Sequence, residues 1–238
     1  MTNEKSGMIA GQNSPGLMAS RLPPARVQPI EIDGIRYEAV WGGKGIFRAS
    51  EIKTGKALWE LTLYRNSYDE RLEKDVQEVY IAAMARESGS SILVTDERGT
   101  VYRVDLESRK SKIAKWPVSL RLFGSEPLRV ELVIGNRSDR VIQLDKSSIG
   151  FGGHLSNDLF SVKADGVKIP YRGMMAKRAP PDDFLQLKPL EEFRVMLNLS
   201  ADYDVPKTAK KIEVRFEHTN HFSVDDFQLY SRIPLVIQ

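Results

Sequence analysis

From residue 30 onward apolar and polar side chains alternate with a period of two, interrupted at intervals by dipeptides that turn a chain. In IEIDGIRYEAVW, residues 30–41, the alternation runs on both sides of Asp33-Gly34, which predicts a hairpin. GIFRASEIKTGKALWELTLY repeats the form: a strand, a turn at Thr54-Gly55, and a strand in which Leu58, Glu60, Thr62 and Tyr64 oppose Trp59, Leu61 and Leu63. In RNSYDERLEKDVQEVYIAAMARES, residues 65–88, Tyr68, Leu72 and Val76 fall four apart, the spacing of one helix face, so a short helix or a polar excursion is expected. SSILVTDERGTVYRVDLESRK returns to strands about a turn at Arg98-Gly99. Residues 28–116 therefore read as a β-meander with one short helix.

From Trp116-Pro117 the pattern shortens to VSLRLF, LRVELVI, VIQLD, LFSVK, VKIPY, FLQL, FRVMLNL, KIEVRF and DFQLYSRIPLVI. Gly135-Asn136, Asp165-Gly166, Pro180-Pro181 and Lys188-Pro189 punctuate them, each a turn former for a backbone reason. Evenly spaced short strands with turns between them predict a two-sheet, immunoglobulin-like sandwich over residues 117–238. The fold class expected is mainly all-β.

Composition narrows the chemistry more than the shape. With 41% hydrophobic residues in 238, the chain can fill a core. Lys plus Arg number 35 against 32 for Asp plus Glu, and an excess of +3 spread along the chain does not suggest nucleic acid as a partner. There is no cysteine, which excludes a disulfide, a thiolate nucleophile and a cysteine-ligated metal or cluster. No run approaches the roughly 18 apolar residues of a spanning helix, so no membrane span is expected. Residues 1–27 lack the run of roughly 7 apolar residues at the centre of a signal peptide and read as a flexible leader. The location implied is cytoplasmic as written, or periplasmic or secreted if a signal sequence has been removed.

LRVELVIGNRSDRVIQL, DLFSVKADGVKIPYRGMMAKRAPPDDFLQLKPLEEFRV and LNLSADYDV together resemble the N-terminal immunoglobulin-like β-sandwich of bacterial deuterolysin-type (peptidyl-Lys) zinc metallopeptidases. The resemblance covers roughly residues 117–217, and it implies a fold module that covers or contacts a partner. The family's catalytic part carries a His-Glu-x-x-His helix, in which two imidazoles bind zinc beside a glutamate base. This chain has only His154, His218 and His221 and no such motif, so the peptidase activity does not carry over. Residues 47–59 and 102–116 each resemble a blade of quinoprotein-like β-propellers, although common hairpin chemistry gives the same pattern.

His218 and His221 follow a strand pattern, and an extended backbone points residues three apart to opposite faces, which favours surface or loop roles over a metal site. His154, Ser156 and Asp158 alternate, so one strand could carry all three on one face, whereas a catalytic triad converges from distant segments. Asp182-Asp183, Asp202 with Asp204, and Asp225-Asp226 lack the spacing of a calcium loop and suit turns. Basic clusters at 109–115, at Lys177-Arg178 and at 207–211 suit solvated strand edges. Between two of the strands lies a loop both apolar and basic, with Tyr171, Met174, Met175, Lys177, Arg178, Pro180-Pro181, Asp182 and Asp183. It is either a partner-contact loop, since methionine adapts to binding surfaces, or a structural corner with Met174 tucked between sheets.

Three functions remain. The first is a non-enzymatic binding or inhibitory protein of bacterial type, meeting another protein through sandwich loops or sheet edges, with no cofactor. The second is an accessory or prodomain-like module of a separately encoded hydrolase. The third is a carbohydrate or small-ligand module using Trp41, Trp59 and Trp116 as stacking platforms.

Overall fold

The computed structural model describes residues 24–42, 44–66, 68, 70–71, 73–138, 140–175, 184–220 and 226–238. Strands β1 (Ile30–Ile32), β2 (Ile35–Ala39), β3 (Ile46–Glu51) and β4 (Ala57–Thr62) form an antiparallel meander in chain order. Asp33 and Gly34 both have positive φ, 50° and 80°, so the first hairpin closes through a turn whose twist matches that of its strands. On one face Tyr37, Phe47 and Trp59 pack ring against ring, with centroids 5.8–6.1 Å apart. On the other, Arg48 pairs with Glu38 and Glu60 of the flanking strands, at 3.7 and 2.7 Å.

The expected helix is one turn, α1 (Lys74–Gln77), and the end of the same stretch is strand β5 (Ile81–Arg86). Nucleating a helix costs more than one turn returns unless packing supports it. Here the packing belongs to Val79, buried, whose carbonyl accepts from the Tyr64 hydroxyl at 2.9 Å. Leu72, in the middle of the proposed stripe, lies outside the described residues.

β5, β6 (Ser91–Asp96), β7 (Val101–Asp105) and β8 (Lys110–Gly124) form a second antiparallel meander. β8 is fifteen residues long, and the expected division at residues 116 and 117 falls inside it. Pro117 looks like punctuation, yet it sits where the register with β7 has ended at Lys115 and that with β9 (Arg129–Gly135) has not begun, at Ser119. A missing N–H costs no ladder bond on that side. Trp116 and Val118 are both buried and carry the strand through.

The remaining strands are β10 (Ile142–Asp145), β11 (Phe160–Ala164), β12 (Val167–Ile169), β13 (Phe184–Leu187), β14 (Glu192–Asn198), β15 (Ile212–Asn220), β16 (Phe227–Ser231) and β17 (Leu235–Ile237). They make a forked sheet. β16 lies between β8 and β15, parallel to residues 115–118 of β8. Beyond that point residues 119–124 of β8 pair with β9, which pairs with β14, while β15 pairs with β11 and β17. β10 and β13 form a separate pair, joined to β15 where the Asn220 side chain accepts from the Asp145 N–H and donates to the Gln143 carbonyl.

Two expected strands are corrected. DFQLYSRIPLVI is not one strand but β16 and β17, broken by Pro234 and by a change of register against β15. GGHLSND is a chain of turns, because Gly150, Gly152 and Gly153 take positive φ of 63–85° and break the pleat, so His154, Ser156 and Asp158 share no strand face. The protein is all-β: seventeen strands against one α-helical turn and two 3-10 turns among the described residues.

Candidate functional site

The fork opens a cleft. Between the pairs Glu217↔Tyr230 and Val214↔Leu235, two residues of β15 face four of the opposing strand. The Ser231 hydroxyl takes the Phe216 N–H at 3.0 Å in place of a ladder acceptor, and Pro234 brings no N–H of its own. β17 thereby leaves β8, and each ends with one edge that pairs with no strand among the described residues: 119–124 on β8, and all of β17.

A groove of about 680 Å³ lies at the root of the fork, bounded by residues 116–121, by 232–236 and by the β6–β7 turn at 97–100. A second cavity of about 540 Å³ lies at the open end, between 125–128 and Ile212, Ile237 and Tyr203. Leu122 and Phe123 on β8, Val236 on β17 and Ile233 at the joint are exposed, Phe123 to 71% and Ile233 to 77%. Apolar side chains of this size clustered along two unpaired edges mark a surface that gains from being covered.

The groove is positive. Arg98, Arg121, Arg137 and Arg232 line it, against Glu97 and Glu192. Glu192 is already engaged by Arg194, and a Glu97 oxygen accepts from the Tyr80 N–H at 2.9 Å. Arg98 donates to the Arg137 carbonyl at 3.1 Å, and Arg232 to the Glu97 carbonyl at 2.8 Å. These contacts fix the two guanidiniums without neutralising them. Burial, and then the neighbouring Arg137, lower the Arg98 pKa, with Asp96 opposing.

The turn that carries Arg98 is held from both sides. The Tyr230 hydroxyl donates to the Gly99 carbonyl at 2.6 Å, and a Cβ on Gly99 would come within 3.1 Å of Arg232 and 3.2 Å of that hydroxyl. Inside, Asp96 is buried and accepts from the Thr100 N–H at 2.9 Å and the Tyr102 hydroxyl at 3.4 Å. Burial raises its pKa above the ordinary carboxylate value.

The residues singled out from the sequence lie elsewhere. Tyr171 bridges to Tyr203, with ring centroids 5.4 Å apart, and its hydroxyl donates to the Met174 carbonyl at 2.9 Å. Met174 and Met175 are exposed rather than tucked between sheets. Lys177, Arg178, Pro180-Pro181, Asp182 and Asp183 lie outside the described residues, as do His221 and Asp225. Tyr203 donates to the Asp158 carboxylate at 2.6 Å, Arg172 pairs with Asp204 at 3.2 Å, and burial raises the Asp202 pKa. No group of three or more His, Asp or Glu among the described residues is arranged to hold a metal ion. Of the tryptophans, Trp116 is buried on Phe227, Trp59 packs in the first meander, and Trp41 is half-exposed beside Tyr80 with Arg26 over its ring.

The cleft arginines come from four separate segments, so no local motif marks them. The one sequence signal is the Ser231-Arg232-Ile233-Pro234 interruption in an otherwise strand-like run. No protein-family model matches the chain, and no curated protein matches its sequence.

Proposed function

We propose that the protein is a non-enzymatic binding or inhibitory module that engages another protein through the two unpaired strand edges of its fork. The observation that carries this is the pairing of open backbone edges with exposed Leu122, Phe123, Ile233 and Val236. An edge supplies main-chain donors and acceptors for an incoming strand, and the flanking side chains supply selectivity. The likeness of residues 117–217 to the module preceding a peptidase domain supports an enzyme as that partner. Affinity capture from the source lysate and secreted fraction, with wild type beside a folded Phe123→Asp, Val236→Asp variant, tests the reading. A protein retained by wild type and lost by the variant supports it, and identical captures overturn it.

Half-exposed Trp41 favours a second reading, sugar binding. That predicts quenching of its fluorescence by oligosaccharides and none in Trp41→Phe, and an unchanged emission removes it.

A further inference from the structure

We infer that the occupant of the cleft is an extended acidic segment of the partner, added as a strand along the open edge of β8 on the side where β17 diverges from it. This rests on the binding reading above and names the chemistry of what binds. The open edge of β8, residues 119–124, sets the length: about six residues, or about 20 Å of extended chain. The groove at the root and the cavity at the far end both include residues of β8 or its following turn together with residues of β17, so the two lie along one path.

The walls dictate the pattern. Leu120 on β8 and Leu235 and Ile237 on β17 pack against the core, whereas Arg121 and Val236, at alternate positions, face away from it. A segment lying along that edge would turn every second side chain toward the apolar set and the others toward Arg121 and solvent. At the root four guanidiniums line the groove against two carboxylates; Glu192 is already paired with Arg194, and Arg121 lies 3.9 Å from Glu131, so the excess charge rests on Arg98, Arg137 and Arg232. Arg98 and Arg232 are held by carbonyl oxygens before any ligand arrives, so little side-chain freedom remains to be lost on binding an acid. The occupant is therefore acidic at the end that enters the groove and apolar at alternate positions along its length.

The probe is a fluorescein-labelled peptide of about ten residues alternating glutamate and valine, titrated into the full chain and followed by anisotropy. Three comparison peptides accompany it: alternating lysine and valine, the glutamate and valine residues arranged in two blocks, and the alternating acidic peptide N-methylated at every second amide. The alternating acidic peptide should bind, the lysine peptide should not, and the block and N-methylated peptides should bind roughly tenfold more weakly or worse because strand pairing is lost. Arg121→Gln with Arg137→Gln should weaken the acidic peptide by roughly tenfold, and added salt should do the same, while circular dichroism stays unchanged.

Equal binding of the block and alternating peptides, with no effect of methylation, would reduce the site to a general anion surface and overturn strand addition. If no peptide binds, the acidic strand is rejected, and the binding reading survives only if wild type still captures a protein that Phe123→Asp, Val236→Asp loses. Peptide binding with identical captures would instead sink that reading and leave the groove a site without a protein partner. A dimer in sedimentation velocity, dissociated by Phe123→Asp and undisturbed by the acidic peptide, would assign the cleft to a second copy of this chain and also overturn the inference.

Discussion

Asn136 shows how much a single residue can carry that its neighbours in the chain do not reveal. Gly135-Asn136 reads as a turn, but Gly135 is the last residue of β9 and the asparagine that follows it is fully buried, its amide donating to the carbonyls of Arg140 and Leu187 at 2.7 and 2.8 Å. Its oxygen accepts from the Ser138 N–H and hydroxyl, while its backbone bonds to Glu191 and Leu190. Leu187 is fifty-one positions away, so the role belongs to the fold and no local pattern could state it. Asp96 is the residue where charge and folding meet. Its folded pKa lies above the unfolded value, so the native state holds its proton more tightly; this contribution is fully present below the unfolded pKa and is lost as pH rises through the folded one. Asp96→Asn keeps an acceptor for the Thr100 N–H and removes that loss. The variant should therefore gain stability relative to wild type as pH rises from about 4 to about 7, read as the difference in urea midpoints. A constant difference would show that burial does not govern this carboxyl.

At the level of elements, the hairpins were the most legible because their turns are local. Asp165-Gly166 repeats the device of Asp33-Gly34, with φ of 48° and 85°, and the Asp165 carboxylate also accepts from the N–H groups of Lys210 and Lys211. A Cβ on Gly166 would meet nothing within 4 Å, so Gly166→Ala isolates backbone conformation from packing. It should cost about 1 kcal/mol, measured by urea unfolding, and a change near zero would show that the turn has relaxed into another type. Elements defined by distant partners were read less well. The 65–88 stretch offered a helical spacing, but its C-terminal part is claimed by pairing of β5 with β6. The break between β16 and β17 depends on β8 and β15 parting company, which appears in the chain only as Pro234 after an exposed Ile233. The cleft was missed for the same reason: it is made from the ends of elements that are far apart in sequence.

For the whole molecule, the decisive element is β8. An abrupt change in strand spacing at Trp116-Pro117 suggested a domain boundary, yet the strand runs through it and contributes Ile113, Trp116 and Val118 to buried positions on either side. The second meander and the forked sheet therefore share a strand, and residues 81–238 should unfold in one transition. Urea curves followed by tryptophan fluorescence and by far-ultraviolet circular dichroism should have a common midpoint for the second transition or for the only one. A separately expressed 117–238 fragment, deprived of residues 110–116, should be markedly less stable than the intact chain; equal stability would make β8 two independent strands end to end. The parallel pairing of β8 with β16 has one more consequence, for the order of events during synthesis. Lys115 pairs opposite Gln228, 113 residues later, so the ribosome delivers β5 to β8 long before the strand that covers them. At about 5–20 residues per second the nascent chain carries an uncovered β8 edge for roughly 6–23 s, a window in which a chaperone or a neighbouring chain can reach that edge before the protein's own C-terminus does.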